Sequence, residues 1–241
     1  MSTSPTEPHA PKKALDMYTD GAYIDKNPTW GVEDSVWKAG QIKKLMTRHG
    51  LQPRTVCEVG CGAGEILKQL SLSFPAIQFS GYEVSPQAFA LCKQRESAQL
   101  HFHLKNLCDE AVFFDCLLCL DVFEHVEDYF GFLRALKDRA QYKIFYIPLD
   151  ISVLSVLRSS MMARRADVGH LHYFSKETAV ATLEDCGYQI QDVLYTTPFN
   201  DIPAKKIETK LARWPRQLLH SISPNWSARL LGGSSLLVLA K

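Results

Sequence analysis

The feature that most constrains the fold is the stretch "TVCEVGCGAGEILKQL" at residues 55–70. An apolar run of strand length precedes glycines at every second position, Gly60, Gly62 and Gly64, and an amphipathic helix pattern follows them. A strand, a glycine-rich turn and a helix in this order are typical of an open α/β sheet that binds its ligand at the carboxyl ends of the strands. The glycines indicate that a ligand passes close to the backbone there.

Strand-like and helix-like segments alternate along the chain after this point. Ser85 and Pro86 mark the start of one predicted helix, and Ser175 and Gly187 mark the start and the end of another. The alternation predicts a Rossmann-like, seven-stranded, mostly parallel sheet with helices on both faces. The last two strand patterns, "YQIQDVLYTT" and "SSLLVLAK", lack a plausible crossover helix packed tightly between them. We therefore expect them to pair antiparallel as an edge, with residues 198–233 inserted.

The pattern divides the chain into a core and its attachments. The start is polar and rich in proline, and an aromatic segment with a helix follows it. The expected parts are a disordered tail (1–13), an N-terminal lid and helix (14–50), a cofactor-binding core (51–197 plus 234–241) and helical cap insertions over the acceptor site (150–168 and 198–233).

Charge and cysteine usage limit the classes of function. Seven Lys/Arg against two acids follow from Asp201 onward, out of totals of 27 and 26, so the end of the chain is basic and the rest slightly acidic. A basic tail fits an anionic substrate, nucleic acid or a lipid surface, or simply a solvated helical face. Cys116 and Cys119 form a CxxC inside a predicted strand, and no second pair has zinc spacing. The start lacks the apolar run of a signal peptide, and no apolar stretch is long enough to cross a membrane, so we expect a cytoplasmic protein.

The residues around the glycines indicate the kind of ligand. The spacing is GxGxG, whereas dinucleotide-binding turns have GxGxxG, and the acids Glu58 and Glu65 flank it. Carboxylates are poor neighbours for a diphosphate and good neighbours for a cation. Glu83 ends the next strand, where a carboxylate can accept hydrogen bonds from two ribose hydroxyls. The pattern therefore predicts a positively charged nucleoside without a phosphate, and S-adenosylmethionine (SAM) fits that description.

Four segments in order, "EVGCGAGEIL", "GYEVSPQAFALCK", "FFDCLLCLDVFEHVEDYFGFLRAL" and "GHLHYFSKETAVATLEDCGY", resemble class I SAM-dependent methyltransferases. The nearest type is the small-molecule branch that includes the ubiquinone-biosynthesis O-methyltransferases. The resemblance implies SAM as cofactor, S-adenosylhomocysteine as product, and a small-molecule or glycan/lipid-type acceptor methylated at oxygen. The basic tail fits an anionic or amphiphilic acceptor, and at most peripheral membrane contact. We expect a monomer or homodimer.

The resemblance also implies which residues bind SAM. In that family the glycine loop passes the methionine part, the acid after the second strand binds the ribose, and later positions lie beside the adenine. A lysine before the first strand could meet the SAM carboxylate. Carried over, the cofactor-binding residues are Lys38, Glu58, Gly60, Cys61, Gly62, Gly64, Glu83, Val84, Asn106, Leu107 and Asp121.

Two histidines are the candidates for chemistry on the acceptor. A hydroxyl acceptor must lose its proton to a base or a metal, and His125 and His170 lie on loops expected at the carboxyl edge. In a second possibility, some ubiquinone and small-RNA 2′-O-methyltransferases use a divalent ion held by two acids and two histidines, which would here be Asp121, Glu124, His125 and His170. Asp121 departs from the glutamate of that set, so we predict no metal.

The aromatic residues near the start of the chain and the class of acceptor each allow more than one interpretation. Tyr18, Tyr23, Trp30 and Trp37 form either a lid over SAM or plain packing against the sheet. A nucleic-acid methyltransferase is disfavoured because no RNA-binding module is evident and "LDVF" stands where base N-methylating enzymes have an NPPY-type tetrapeptide. A non-catalytic SAM-binding protein is the hypothesis from a different class. A nicotinamide oxidoreductase fails on glycine spacing.

Overall fold

The computed structural model describes residues 16–198 and 207–241, so the predicted disordered tail at 1–13 lies outside the described residues. The described residues form one seven-stranded sheet with the order β3-β2-β1-β4-β5-β7-β6. Its strands are β1 (Thr55–Val59), β2 (Gln78–Glu83), β3 (Leu100–Leu104), β4 (Phe114–Leu120), β5 (Ala140–Pro148), β6 (Ile190–Thr196) and β7 (Ser235–Ala240).

The strand directions confirm the predicted Rossmann-like sheet with an antiparallel last strand. β1 pairs parallel with β2 and with β4, and β5 extends the parallel set. β7 pairs antiparallel with both β5 and β6. The expected β6–β7 pairing is therefore present, but only β6 of this pair is an edge strand, because β7 lies between β5 and β6; β3 forms the opposite edge.

Helices cover both faces of the sheet. They are α1 (Asp16–Thr19), α2 (Ala22–Lys26), α3 (Ser35–Arg48), α4 (Glu65–Ser73), α5 (Pro86–Lys93), α6 (Tyr129–Lys137), α7 (Val153–Leu157), α8 (Ser160–Val168), α9 (Lys176–Asp185), α10 (Ile207–Ile222) and α11 (Pro224–Leu231). Short 3-10 turns lie at Val32–Asp34, Leu107–Asp109 and Phe123–His125. The predicted caps are confirmed, since the side chain of Ser85 accepts from Ala88 N and that of Ser175 from Thr178 N.

Two predicted helices differ from the observed ones. The apolar pattern at 150–168 is two helices, α7 and α8, because Ser159 between them takes a left-handed conformation with φ 52°. The segment "HVEDYFGFLRALKDR" has a pattern that predicts a helix from His125 onward, but the α-helix begins only at Tyr129, since Asp128 caps α6 by accepting from Gly131 N. Residues 123–125 form a 3-10 turn instead, which keeps His125 at the edge of the sheet.

The sheet separates two hydrophobic clusters because successive side chains of a strand point to opposite faces. One cluster joins the sheet to α3, α4 and α5, and the other joins it to α6, α9 and α11. Cys116 belongs to the first cluster and Cys119 to the second, and both are fully buried. The CxxC pair therefore lies on opposite faces of β4, which does not suit a shared metal ion.

The parallel strands bring their carboxyl ends to one edge of the sheet. Gly60 follows β1, Asp121 follows β4 and Leu149 follows β5, while Glu83 is the last residue of β2. Among the described residues, no helix is both long and apolar enough to cross a membrane.

We expect the centre of the sheet to carry much of the stability. Phe145 on β5 is fully buried, and its ring contacts the rings of Phe123 and Tyr188 at centroid distances of 6.5 and 5.1 Å. Phe145→Ala should lower the free energy of unfolding by about 3–5 kcal/mol, because it removes apolar contacts and leaves a cavity. Phe113→Ala is the control, since Phe113 is 63% exposed and its loss should cost about 0.5 kcal/mol or less. Urea denaturation of both variants checks the difference, and equal losses would contradict the assignment of the core.

Candidate functional site

A cavity of about 880 Å³ lies at the carboxyl edge of the sheet. Its volume is at the upper end of the range for small-molecule sites, roughly 300–1,000 Å³. The structure brings the predicted cofactor-binding residues and the two candidate histidines together around it: Lys38, Glu58, Gly60, Cys61, Gly62, Gly64, Glu83, Val84, Asn106, Leu107, Asp121, His125 and His170. Residues of the N-terminal segment and of the cap complete the wall.

The glycine loop is tied to the neighbouring strand by its backbone. The N–H groups of Gly60 and Cys61 both donate to the carbonyl oxygen of Tyr82, at 2.8 and 3.1 Å. Gly62 has φ +54°, and a Cβ there would lie 2.7 Å from Cδ1 of Trp30. A side chain at this position would therefore meet both a strained backbone and the ring above it.

The carboxylate of Glu83 joins the loops after β1 and β2. Its Oε2 accepts from Gly62 N, and its Oε1 accepts from Val84 N and Ser85 N, each at 2.8 Å. Burial raises the pKa of Glu83, and the three N–H groups partly offset that shift. A carboxylate has about four acceptor sites, so Glu83 retains capacity for a ligand hydroxyl while it holds the loops.

The two acids that flank the glycines have different surroundings. Glu58 is buried at the cavity wall, and its Oε2 has no hydrogen-bond partner within the described part of the chain. Burial raises the pKa of Glu58 well above its usual value, although Lys38 opposes the shift. Glu65 instead accepts from Arg95 Nε at 2.7 Å and from Gln69 at 2.8 Å. Glu65 therefore lines the cavity with its charge paired inside the protein, and its role toward a cationic ligand stays a prediction.

Lys38 and Asp121 form an ion pair at the cavity wall. Lys38 Nζ lies 2.7 Å from Asp121 Oδ2 and 2.8 Å from Asp34 Oδ2. Burial lowers the pKa of Lys38, but the two carboxylates outweigh burial and raise it overall. Asp121 has a left-handed backbone with φ 52°, and its N–H donates to Tyr146 O. The position predicted for the SAM carboxylate, Lys38, is thus held by acids within the protein.

The positions expected beside the adenine differ in their exposure and in their hydrogen bonds. Val84 is 42% exposed, whereas Leu107 is fully buried in the core. The side-chain oxygen of Asn106 accepts from Cys108 N at 3.1 Å, and its amide nitrogen donates to Asp109 at 3.1 Å. Asn106 therefore caps the 3-10 turn that follows it.

His170 is paired with an acid that the sequence analysis did not single out. Its Nδ1 lies 2.6 Å from Asp150 Oδ2, and Arg164 Nε lies 2.9 Å from Asp150 Oδ1. Asp150 and His170 are both buried, and both line the cavity. The carboxylate fixes the orientation of the imidazole and leaves Nε2 as the second ring nitrogen. Asp150 comes two residues after β5, so its place at a strand's carboxyl end was a usable signal.

His125 holds the N-terminal segment. The hydroxyl of Tyr18 donates to Val168 O at 2.6 Å, so its oxygen accepts from His125 Nδ1, 2.9 Å away. Burial lowers the pKa of His125 to about 4, and His170 adds to that shift. The two imidazole rings lie 4.8 Å apart in an edge-to-face arrangement. His125 is therefore neutral near pH 7.

Glu124 is a buried acid beside both histidines. Neither of its carboxylate oxygens has a hydrogen-bond partner among the described residues. Burial raises its pKa well above the usual value, and Asp121 adds to the shift. Ligand atoms of Glu124, His125 and His170 lie within 4.8 Å of one another, so these three residues could hold a metal ion. Asp121 lies outside this cluster, because it faces Lys38.

The N-terminal aromatic residues cover part of the cavity. The ring of Tyr23 lies 4.9 Å from that of Tyr18 and 4.7 Å from that of Trp30, and all three line the cavity. Trp37 packs instead edge-on against Tyr146 at 6.4 Å. Three of the four aromatics thus form a wall, and the fourth anchors α3.

Comparison with known proteins gives a consistent picture of the fold. Residues 57–141, about a third of the chain, match the family model of a methyltransferase domain. No curated protein matches the chain.

Solved structures resemble the chain over nearly its whole length. Magnesium protoporphyrin IX methyltransferase (ChlM) from Synechocystis PCC 6803 with bound SAH is 15% identical, with 93% of this chain and 96% of that chain covered and a TM-score of 0.63. The N-methyltransferase NodS from Bradyrhizobium japonicum WM9 with SAH is 13% identical, with 95% and 98% covered and a TM-score of 0.61. The methyltransferase domain of bacterial CtHen1-CN is 16% identical, with 85% and 97% covered and a TM-score of 0.54. At these identities the likeness concerns the fold, and the named activities differ.

The buried imidazole of His125 predicts a pH dependence of stability. The unfolded chain takes up this proton near pH 6.5, whereas the folded chain does so only near pH 4, so stability is lost as the pH falls through this window. His125→Asn should reduce the loss of unfolding free energy between about pH 7 and about pH 4.5 by up to about 3 kcal/mol. Thermal unfolding across this range measures it.

The control for this experiment is His101→Asn, since His101 is exposed on β3. Its pH dependence should match that of the wild-type chain. An unchanged pH dependence in His125→Asn would show that the imidazole is not buried as described.

Proposed function

We propose that this chain is a class I SAM-dependent methyltransferase that transfers a methyl group to an oxygen atom of a small-molecule or glycan/lipid-type acceptor. The observation that carries the proposal is the presence of two sets of residues on one cavity. The glycine loop held by Glu83 suits the cofactor, and the His170–Asp150 pair suits a hydroxyl acceptor.

The backbone of the glycine loop supports the cofactor half of the proposal. Gly62 and its neighbours present a wall without side chains, and Glu83 keeps an acceptor site for a ribose hydroxyl. Glu58 lies beside them, and its Oε2, which has no hydrogen-bond partner in the described chain, can accept a hydrogen bond from the ammonium group of SAM even when the carboxyl group is neutral. Lys38 and Asp121 also line this wall; because they pair with each other at 2.7 Å, contacts with the carboxylate and ammonium of the methionine part would be made in addition to that ion pair or in exchange for it.

The acceptor half rests on His170. SAM, when bound, supplies a methyl group that is already activated by the sulfonium. The chain then has to orient the acceptor and remove its proton. Asp150 holds Nδ1 of His170 at 2.6 Å, so Nε2 is the atom that accepts the proton from the acceptor hydroxyl. Asp150 stabilises the imidazolium that forms, and the contact with Arg164 holds the Asp150 side chain in place.

The N-terminal segment supports water exclusion. Tyr18 reaches His125 and the carbonyl of Val168 at once, so it connects the segment to the loop that carries His170. Trp30 covers Gly62. We propose that this aromatic wall is the predicted lid, which shields the reacting atoms from solvent. The role of His125 as a general base stays a prediction. In the structure, Nδ1 of His125 contacts the hydroxyl of Tyr18.

One observation favours a second candidate, a metal-assisted O-methyltransferase acting on vicinal hydroxyls. The buried carboxyl group of Glu124 has no hydrogen-bond partner within the described residues, and both histidines lie beside it, with His125 Nε2 3.9 Å from Glu124 Oε1. Glu124, His125 and His170 would hold the ion with a nitrogen and oxygen donor set that suits Zn²⁺ or Mn²⁺. The ion would lower the pKa of an acceptor hydroxyl. This candidate uses His170 as a ligand, whereas the first uses it as a base.

Gly62→Val should abolish SAM binding and leave the fold intact. The valine side chain would meet Trp30 and a backbone with positive φ, and it would close the path of the ligand. Gly40→Val is the matched control, because a Cβ at Gly40 in α3 meets nothing within 4 Å. Isothermal titration with SAM, with circular dichroism of both variants, measures the effect. Normal SAM binding by folded Gly62→Val would contradict the placement of the cofactor.

His170→Ala should lower the turnover number by about 10²–10⁴-fold while SAM binds as before. Asp150→Asn should shift the pH–rate profile, because the imidazolium loses its partner. His101→Ala is the control on the exposed strand β3. Release of S-adenosylhomocysteine is measured with a panel of acceptors that carry single hydroxyls, vicinal hydroxyls, carboxylates or amines.

The same assay separates the candidate functions. Loss of turnover on chelation, with restoration by Zn²⁺ or Mn²⁺, would favour the metal-assisted candidate. Full activity of His170→Ala would contradict both. SAM binding with no turnover on any acceptor would favour the non-catalytic SAM-binding protein.

A further inference from the structure

The described part of the cap exposes a set of large apolar side chains. The cap means residues 150–168 and 207–231, which contain α7, α8, α10 and α11. Leu157 on α7 is 78% exposed, Trp214 and Ile222 on α10 are 70% and 74% exposed, and Trp226 on α11 is 55% exposed. Further exposed apolar residues of the cap are Ile151, Val153, Val156, Met162, Leu218 and Leu230. Exposed apolar residues in such a group mark a surface that meets a partner.

The spacing and packing place these residues on adjoining helices of the cap. Trp214, Leu218 and Ile222 are four residues apart, so they form a single stripe along α10. α10 contacts α11, α11 contacts α7, and α7 contacts α8. Arg216 fixes two of these elements, since its guanidinium donates to Leu231 O at 3.2 Å, and Ser227 Oγ donates to Arg216 O at 3.3 Å.

The charges of the cap point to an anionic partner. Residues 213–231 contain Arg213, Arg216 and Arg229 and no acid. Arg158 and Arg165 add two exposed guanidinium groups from the other half of the cap. Arg229 pairs with Glu177 and Arg164 pairs with Asp150. By sequence, the cap carries seven Lys/Arg against three Asp/Glu, so its composition has a positive excess. A symmetric contact of residues 213–231 with a second copy would bring arginines together without carboxylates from that segment between them.

We propose that the cap is a docking surface for an anionic lipid bilayer, on which the chain lies as a peripheral protein. Aliphatic side chains enter the boundary of headgroups and acyl chains, indoles lie at the headgroup level, and arginines meet the lipid phosphates. The combination of exposed tryptophans, an apolar stripe and an excess of arginine carries this choice. An uncharged apolar partner does not account for the arginines, and a free anion does not account for the exposed apolar side chains.

The surface adjoins the cavity through the chain itself. Arg164 and Val168 of α8 line the cavity, as do Pro198 before the cap's second half and Gly233 after it. A molecule that is anchored in the bilayer thus lies close to the site of the reaction. This last step rests on the proposed function and gives the acceptor class as amphiphilic, whereas docking itself does not depend on it.

The test is co-sedimentation of the full chain with vesicles of phosphatidylcholine alone or mixed with phosphatidylglycerol. We expect binding to the anionic vesicles that is at least about tenfold tighter than to the neutral ones, with a blue shift of tryptophan fluorescence. Added salt should weaken this binding, because it screens the arginines.

Trp214→Ser combined with Ile222→Ser should lower vesicle affinity by about tenfold or more. The matched control combines Leu72→Ser with Phe113→Ser, two side chains outside the cap that are 70% and 63% exposed. Both double variants should fold, because exposed substitutions change stability little. Circular dichroism and SAM titration check the fold, and neither readout requires an acceptor.

Three results would overturn the proposal. The first is that the wild-type chain does not bind vesicles, and the second is that the two double variants bind them equally. The third is that the wild-type chain forms a dimer which only the cap variant loses, and that the chain does not bind vesicles. The last would assign the surface to a second copy. Failure of vesicle binding would leave SAM binding and methyl transfer unaffected, so it is distinguishable from failure of the proposed function.

Discussion

The site depends on the buried carboxylate of Glu83. Three backbone N–H groups donate to it, one from the glycine loop after β1 and two from the loop after β2. The carboxylate therefore fixes the distance between two loops that the sheet alone would only bring near each other. Since burial raises its pKa while the three donors lower it, the group works as a structural acceptor and still offers capacity to a ligand.

The remaining charged groups of the cavity follow a related principle. Lys38 is held between Asp34 and Asp121, and His170 and Arg164 share Asp150. Glu58 and Glu124 are buried with unpartnered oxygens, and burial raises the pKa of each. Lys38 therefore keeps its charge because two carboxylates outweigh burial, whereas Glu58 and Glu124, whose carboxyl groups include oxygens without hydrogen-bond partners in the described chain, are favoured in their neutral form. A ligand in the cavity therefore faces a wall in which only some of the carboxyl groups carry a charge.

Much of the fold can be predicted because its signals are local. The alternating segment "LHFHL" predicts a strand at residues 100–104, where β3 is observed. Ser85 and Ser175 are recognisable as helix caps, and both kinds of signal depend on a few neighbouring residues. The break at Ser159 has no such signal, because the apolar pattern on both sides is helical and carries no proline or glycine. Glu65 resembles a ligand group in the sequence, although Arg95, thirty residues away, already pairs with it.

The sequence by itself determined the alternation of elements, the glycine loop and the residues that end each strand. These features depend on the period of side chains and on backbone freedom, both of which are written in short stretches. Only the tertiary structure decided which of these residues meet. Tyr18 reaches His125, Lys38 reaches Asp121, and Asp150 reaches His170, because strand order and loop packing bring distant segments to one edge. Burial in that edge, which no local pattern encodes, then sets the protonation of His125 and Glu124.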